Sequence, residues 1–423
     1  MDCNMESLMT VCKYLATAIL ENGGETYRAE ECIVRLCSRF GFDDVDVIAF
    51  PTGVMLSVRD GEKHCYSETC RVKKRSFNLK RLNDANDISR KVVEGEMSLF
   101  EAEKIFASTH PEAASSKRKL RWINLLAGGL SSGFFAVLFG GIWLDFIAAA
   151  LCGALIQLFL IAFKRMDIFH FISTFVGSII ATVFAIGFVS LFHSANLSLI
   201  VIGAIMPLFP GLPMTNAIRD TINGDLISGI SRFGEVLLVA VCIASGVGVV
   251  LAGYVGLGGQ IVEGGVDRGF VVETVKAVVF CFFATSFFSI LLCAPGRSIL
   301  PASAIAAVGY YVYFVFSYFG LSIYLGGFLG TLFIALAGEI LARIMKMPST
   351  IFVFPAIIAL VPGIWLYRTM LFLVHGEYAS FASKGTETLL FAGVMAAAIA
   401  VVNFVFRTIA AAQRNRINNK KRG

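Results

Sequence analysis

The chain has 423 residues, of which 57% are hydrophobic and only 16% are charged. Soluble globular proteins carry about 25% charged residues, so the composition excludes a chain built only of soluble domains. Nothing in it is typical of collagen, a coiled coil, a disordered chain or a nucleic-acid-binding protein. The first residues lack the basic start and apolar core of a signal peptide, so we expect the N-terminal part to lie in the cytoplasm.

Charged residues are concentrated in the first part of the chain. Residues 1–121 contain 19 Lys or Arg and 19 Asp or Glu, whereas residues 122–423 contain 17 and 11. We therefore predict a small cytoplasmic α+β domain over 1–115, called the head, followed by a membrane part. About 20 apolar residues cross a bilayer, so the membrane part has room for ten spans with short loops.

Apolar periodicity gives the elements of the head. Residues at helical spacing predict amphipathic helices over 5–21 and about 25–39, separated by the stop signal Asn22-Gly23-Gly24. The period then changes to two on either side of a turn at 51–53, which predicts a hairpin. Two further helices are expected after a basic stretch, near 81–94 and 98–107.

Four charged residues, Glu25, Arg28, Glu30 and Glu31, lie beside the glycine pair. A helix start attracts carboxylates through its dipole, so we favour capping and a solvated face over a functional role. Six of the ten cysteines lie in the head without C-x-x-C pairs. His64-Cys65 with Cys70 is an alternative as a metal site, but free reduced thiols are favoured, and no metal or cofactor is expected.

From Trp122 onward, apolar runs separated by Gly, Pro or charged residues predict ten spans. They are 122–140, 142–163, 168–192, 197–218, 230–256, 270–293, 298–318, 321–344, 350–372 and 386–411. With the head in the cytoplasm, seventeen basic residues fall on the cytoplasmic side and four on the far side. This positive-inside bias predicts a multi-pass plasma-membrane protein with both termini cytoplasmic.

The membrane part repeats itself at an offset of about 152 residues. Pro210-Gly211 matches Pro362-Gly363, and Glu235 matches Glu387. Each unit holds five spans, one over 116–260 and one over 261–423 with a basic C-terminal tail. Because five is odd, the second copy enters the membrane upside down. We therefore predict an α-helical polytopic membrane protein with two inverted-topology repeats of five transmembrane helices.

Prolines interrupt the same span in each repeat. Span 4 contains Pro207, Pro210, Gly211 and Pro213, and span 9 contains Pro355, Pro362 and Gly363. Each proline removes a backbone donor and clashes with the preceding turn. Secondary transporters hold substrate on such broken helices at the repeat interface. A kink that serves only packing is the alternative, and the matched positions favour a substrate site.

Ionisable and polar residues inside spans are costly, so each is a candidate. Asn216, Arg219 and Asp220 follow the break of span 4, and Arg368 follows that of span 9. An arginine can grip a substrate carboxylate, although an interfacial arginine that snorkels to headgroups is the alternative. Predicted substrate-binding residues are Pro210, Gly211, Asn216, Arg219, Pro362, Gly363 and Arg368.

Carboxylates at span ends are candidates for proton coupling. Glu235 and Glu387 start spans 5 and 10, and Asp220 lies beside Arg219. Partly buried carboxylates can carry protons, whereas a helix N-terminal carboxylate favoured by the dipole is the simpler explanation of each glutamate. Asp145 and Glu339 are weaker candidates, the latter expected to pair with Arg343.

Four segments resemble the threonine/serine exporter family, and the match covers nearly the whole chain. They are GGETYRAE, VIAFPTGVMLSV, IMPLFPGLPMTNAIRDTINGDLISGISRFGE and MPSTIFVFPAIIALVPGIWLYRTM. The resemblance implies export of small hydroxy amino acids driven by the proton motive force, with some relatives exporting dicarboxylates such as succinate. The second repeat departs at Trp365-Leu366-Tyr367-Arg368, so a two-fold symmetric site is not assumed.

The expected partners are threonine, serine or a short dicarboxylate, protons and the lipid bilayer, with a homo-oligomer possible. Two other classes stay open. In a membrane-anchored hydrolase, Ser38, Ser57 or Cys65 near His64 are the available nucleophiles. In a sensor, the head would report ligand binding by the membrane part. No ATP-binding motif is present, which argues against primary active transport.

Overall fold

The computed structural model describes residues 5–60, 64–72, 77–108, 117–166, 168–260, 269–361 and 363–422. Its N-terminal region, residues 5–108, contains four helices and a small sheet. The helices are α1 (Met5–Glu21), α2 (Thr26–Arg39), α3 (Leu79–Glu94) and α4 (Leu99–Ser108), and the strands are β1 (Asp44–Phe50), β2 (Gly53–Arg59) and β3 (Cys65–Arg71).

The strands form an antiparallel sheet in the order β1-β2-β3, and α1 and α2, whose apolar faces are buried, contact the sheet and each other. In the register, Val58 of β2 lies opposite Val45 of β1 and Tyr66 of β3. The third strand was missed by the sequence reasoning. Its sequence, CYSETCR, is polar on both faces because it is an exposed edge strand held by backbone hydrogen bonds.

The rest of the described chain is helical. The first half contains α5 (Lys117–Leu138), α6 (Trp143–Arg165), α7 (His170–Leu191), α8 (Leu197–Ile205), α9 (Gly211–Ile222) and α10 (Leu226–Gly256). The second half contains α11 (Phe270–Leu291), α12 (Gly296–Tyr318), α13 (Ile323–Met345), α14 (Thr350–Ile357), α15 (Gly363–Val374) and α16 (Tyr378–Arg422). The last helix is longer than the predicted span 386–411.

Seven described helices are long and apolar enough to cross a membrane, and the bent pair α8 and α9 makes eight. This count supports an α-helical membrane protein and falls short of the ten predicted spans. Two predicted spans are not included in this count. One corresponds to α5 and the other to the pair α14 and α15, and residue 362 between that pair lies outside the described residues. Ten spans and an inverted repeat therefore stay predictions.

Both interruptions in the helices occur where the prolines predict them. Helix α8 ends at Ile205, a short 3₁₀ turn covers Met206–Leu208, and α9 starts at Gly211, with an angle of 52° between the two segments. Helix α14 ends at Ile357, and α15 starts at Gly363. Pro355, by contrast, lies inside α14 rather than at the break.

The helices within the first half contact one another in the same pattern as the helices within the second half. The pairs α5–α6, α6–α7, α6–α8, α7–α10 and α9–α10 correspond to α11–α12, α12–α13, α12–α14, α13–α16 and α15–α16. Helices α5 and α11 join the halves. Close approach depends on small residues such as Gly129 and Gly133, where a Cβ would lie 2.7 Å from the Ala150 oxygen and 2.9 Å from the Phe146 oxygen.

Candidate functional site

The turn between α1 and α2 lies against the membrane part. This GGET turn, Gly23–Thr26, needs both glycines: Gly23 has a φ of 85°, and a Cβ on Gly24 would lie 2.4 Å from the Ile19 side chain. Glu25 and Thr26 are fully buried. The Gly-Gly stop signal therefore does more than end α1, because it sets the backbone shape of the turn and its close packing on Ile19 of α1 and Leu82 of α3.

Residues of α9 and α10 bind the turn from one side. The Asn216 side-chain amide donates to the Gly23 carbonyl at 2.7 Å, and Arg232 donates to the Gly24 carbonyl at 2.9 Å. The Thr26 hydroxyl donates to Asp220 at 2.9 Å, and the Thr26 N–H donates to the same oxygen at 3.3 Å. Asp220 in turn pairs with Arg232 at 2.8 Å.

The Glu25 carboxylate binds residues of both halves. Arg219 of α9 donates to its Oε1 atom, and the Thr350 hydroxyl, at the start of α14, donates to the same oxygen at 2.6 Å. Arg28 holds the other oxygen at 2.9 Å. The Arg219 guanidinium also donates to Ser349 at 3.2 Å and lies 3.8 Å from the Glu339 carboxylate.

These groups form a charge cluster, which consists of Glu25, Arg28, Arg219, Asp220, Arg232 and Glu339. Buried ions are costly unless they are paired and hydrogen-bonded. Burial raises the pKa of the Glu25 carboxyl, but the charges of Arg28 and Arg219 and the Thr350 hydrogen bond outweigh this and hold that pKa well below its ordinary value of 4.5. Glu25 is therefore ionised across the physiological range.

The structure brings some of the predicted site residues together. Asn216, Arg219 and Asp220 are buried in or beside the charge cluster. Pro210 is buried at the start of α9, and a Cβ on the neighbouring Gly211 would lie 2.9 Å from the Phe354 ring of α14. The two interrupted helices therefore meet at this point.

Other predicted residues lie elsewhere. Gly363 is the first residue of α15, and Pro362 lies outside the described residues. Arg368 is exposed on α15 and interacts electrostatically with Tyr313 of α12. Its repeat counterpart Asn216 is fully buried, so the two halves contribute unequally at this pair of positions.

The two predicted proton-coupling glutamates have other surroundings. Glu235 interacts electrostatically with His170 at the start of α7. Glu387 forms an ion pair with Lys384 at 2.7 Å, and both side chains are partly exposed. Their role in coupling stays a prediction.

Two interpretations of charged residues were wrong. Glu25 precedes α2 but its side chain does not cap that helix, and its carboxylate is buried in the charge cluster rather than on a solvated face. Glu339 faces Arg219, whereas the Arg343 guanidinium, its expected partner, lies over the Phe406 ring at 4.4 Å. A glycine pair followed by an acidic residue was the available signal for Glu25.

The candidate nucleophile Cys65 and the neighbouring His64 are exposed, away from the charge cluster. The Cys65 thiol lies 3.5 Å from the Ser57 hydroxyl, and the His64 ring lies 3.2 Å from Asp60. Within the described residues, no group of three or more His, Cys, Asp or Glu could hold a metal ion.

Comparison with known proteins gives two family matches and two curated relatives. Residues 10–254 match the family described as putative threonine/serine exporter, and residues 277–405 match a second family, described as threonine/serine exporter, ThrE. The probable succinate transporter subunit YjjP of Klebsiella aerogenes is 27% identical over 252 residues, which are 57% of this chain and 91% of that protein.

YjjP of Escherichia coli K12, also named a probable succinate transporter subunit, is 26% identical over 253 residues, which are 57% of this chain and 92% of that protein. No solved structure gives a significant match. The first family match spans more than half of the chain and includes the GGET turn, Arg219 and Asp220. The protein therefore belongs to the putative threonine/serine exporter family of multi-pass membrane proteins.

Proposed function

We propose that the protein is a secondary active transporter that exports threonine and serine across the plasma membrane, coupled to the proton motive force. One observation carries this proposal: the Arg219 guanidinium is buried between the interrupted helices and already binds a carboxylate, that of Glu25. Guanidinium groups bind carboxylates through strong charge-assisted hydrogen bonds. A substrate carboxylate is the ligand that Arg219 suits best.

The surroundings of Arg219 favour an amino acid over a dicarboxylate. Asp220 accepts hydrogen bonds from the N–H and the hydroxyl of Thr26, and Asp225 lies 3.1 Å from the same hydroxyl. Threonine and serine carry an ammonium group and a hydroxyl that suit such acceptors, whereas ionised succinate has no donor. The YjjP names keep a dicarboxylate such as succinate as the alternative substrate.

We propose the ten-span topology with two inverted five-helix repeats, divided at about residue 260. The matching helix contacts of the two halves support it, as do the boundaries of the family matches at residues 254 and 277. In this topology both termini are cytoplasmic. The ends of α9 and α13 and the starts of α10 and α14 then lie at the cytoplasmic face, where the N-terminal region, as the head domain 1–115, contacts them.

Asp220, Glu235 and Glu387 are the proposed proton carriers. Asp220 is the strongest of the three, because it is fully buried beside Arg219 and pairs with Arg232. A proton on Asp220 would weaken that pair and so connect protonation to the substrate site. We also propose a homo-oligomer, in keeping with the names of the YjjP relatives, which describe transporter subunits.

Efflux from cells overproducing the protein tests the function. We expect export of radiolabelled L-threonine and L-serine above the empty-vector rate, and a decrease of about a hundredfold or more for Arg219→Gln at equal membrane abundance, because a charge-assisted contact to substrate is lost. Arg35→Gln, which removes an exposed arginine paired with Glu31, is the matched control and retains full export. Unchanged export by Arg219→Gln contradicts the site, and export of succinate alone contradicts the substrate.

A further inference from the structure

The carboxylate bound to Arg219 belongs to the protein itself. Glu25 is contributed by the N-terminal region, whereas Arg219 and Thr350 come from the interrupted helices of the two halves. We infer that Arg219, Ser349 and Thr350 form one carboxylate-binding site that Glu25 and the substrate carboxylate occupy in turn. The GGET turn is then a tethered competitor of the substrate, an inference that rests on the proposed function.

The site has room for one carboxylate at a time. Arg219 is only 1% exposed and Glu25 is fully buried. The Oε1 atom of Glu25 takes the hydrogen bonds of both the guanidinium and the Thr350 hydroxyl. On the other side of Arg219 stands the carboxylate of Glu339, at 3.8 Å. A further anion beside these two buried carboxylates would be repelled by their charges, so substrate binding at Arg219 requires Glu25 to leave.

Departure of Glu25 does not leave its charge unpaired. Arg28 is on α2, in the same region of the chain, and holds Oε2 of Glu25 at 2.9 Å. The carboxylate can therefore move out with its own counter-ion, while the substrate carboxylate replaces it at Arg219. Glu25 is paired with Arg28, and Arg219 with a carboxylate, both before and after the exchange. This pairing lowers the free-energy cost of the exchange.

The rest of the turn is held by polar contacts that an exchange can break. Asn216 and Arg232 bind the carbonyl oxygens of Gly23 and Gly24, and Asp220 binds Thr26. With the bond from the Thr26 N–H to Asp220 these are four hydrogen bonds, three of them to a charged side chain, and water can satisfy the groups of the turn once it is released. Release costs little buried apolar surface at the turn itself, since two of its four residues are glycines.

An internal competitor lowers the apparent affinity for substrate by the fraction of molecules in which the site is open. Removing the charge of Glu25 weakens its hold on Arg219 and raises this fraction. In purified full-length protein, we expect Glu25→Gln to bind the exported substrate roughly tenfold more tightly than the wild type, as for a site that is about 90% closed. The matched control is Glu31→Gln, which removes a more exposed carboxylate on α2, the helix that Glu25 precedes, and leaves the affinity unchanged.

Hydrogen exchange on the unmodified protein provides the second measurement, which does not depend on the folding of a variant. The Thr26 N–H is held by Asp220, so its exchange reports whether the turn is docked. L-threonine and succinate are the probes, each added at saturation. The probe that the wild type exports should raise exchange at residues 23–26 by up to about tenfold, the limit for a site that is about 90% closed, and a probe that is not exported should leave it unchanged.

These measurements separate the two proposals. If the exported probe binds but the turn stays protected, the shared site is wrong and the transport function stands. The same conclusion follows if a folded Glu25→Gln protein binds that probe with unchanged affinity. If the wild type exports neither probe, the proposed function fails, and the inference that rests on it fails too.

Discussion

Glu25 is the residue through which the N-terminal region contacts both halves of the membrane part at once. Its carboxylate lies between Arg28 and Arg219, and its neighbour Thr26 binds Asp220, 194 positions away in the chain. Pairs of this kind are expensive to break from one side, because the remaining charge stays buried without compensation. Changes in the free energy of unfolding caused by substituting Glu25 and Arg219 one at a time should therefore not add up to the change in the double variant.

We predict that Arg219→Gln alone destabilises the protein by about 1–2 kcal/mol, the order of a tenfold preference for the docked turn, because Glu25 loses one of its two cations and keeps Arg28. Combining it with Glu25→Gln should cost less than the sum of the single changes, by at least about 1 kcal/mol. Thermal unfolding of the four purified full-length proteins measures this coupling. The exposed pair Glu31 and Arg35 is the control, where the same cycle should give a coupling close to zero. Additive effects at Glu25 and Arg219 argue against the buried pair.

The pKa of Glu25 sets how docking depends on pH. The docked state holds this pKa below the ordinary value of 4.5. A carboxylate with a lowered pKa stabilises the structure fully above its ordinary value and loses that contribution as the pH falls toward the lowered one. We therefore predict that the stability difference between wild type and Glu25→Gln is constant from pH 8 to pH 6 and decreases below about pH 4.5. Melting temperatures across this range test the prediction, and a marked change between pH 8 and pH 6 contradicts it.

At the scale of elements, the site depends on how closely the helices that carry it approach each other. Helix α13 carries Glu339 and leads into Ser349 and Thr350, and its place is fixed by close contact with α12. A Cβ added at Gly330 of α13 would lie 2.5 Å from the Gly309 carbonyl oxygen of α12. Because that oxygen belongs to the backbone, the helices themselves must separate.

We predict that Gly330→Ala destabilises the protein by about 1–3 kcal/mol and reduces export, since an extra methyl group forces two packed helices apart. Gly187→Ala is the matched control on α7, where a Cβ would meet no described atom within 4 Å. It should leave melting temperature and export unchanged. Equal behaviour of the two variants would mean that the contact between α12 and α13 tolerates expansion.

At the scale of the whole molecule, the N-terminal region is attached to the second half at places besides the GGET turn. The backbone N–H groups of Leu79 and Lys80, at the start of α3, donate to the carbonyls of Leu292 and Cys293, each at 3.0 Å. Arg90 donates to the Lys346 carbonyl at 3.0 Å. The N-terminal region, although it precedes the first half in the chain, therefore binds the second half as well.

We predict that the chain remains assembled when it is divided after residue 260 and its two parts are produced together. The contacts of the N-terminal region with the second half, together with α5 against α11, hold the parts without a covalent link. Purification through a tag on residues 261–423 should recover residues 1–260 in equal amount and with export activity. Recovery of either part alone contradicts the prediction.

Local sequence patterns predicted the local features of the fold. Apolar periodicity gave α1 and α2 within one residue of their observed limits, and the prolines near residues 210 and 362 marked both interruptions. The docking of Glu25 could not be predicted, because periodicity and capping rules describe neighbours in sequence, whereas the partners Arg219 and Thr350 lie 194 and 325 positions away. Edge strand β3 was not predicted for a similar reason. It is held by backbone hydrogen bonds to β2, and such bonds leave no pattern in the side chains of β3.

The hydrogen bonds from the start of α3 to the α11–α12 connection have a kinetic consequence. They do not involve the GGET turn. The N-terminal region can therefore stay bound to the second half through α3 while the GGET turn moves away from Arg219. A tethered group returns to its site at an effective concentration in the millimolar range, set by the tether and independent of the cell's supply. In the exchange inferred above, the Glu25 carboxylate would therefore return to Arg219 as soon as a substrate molecule leaves, so that the binding site is closed again before the next substrate arrives.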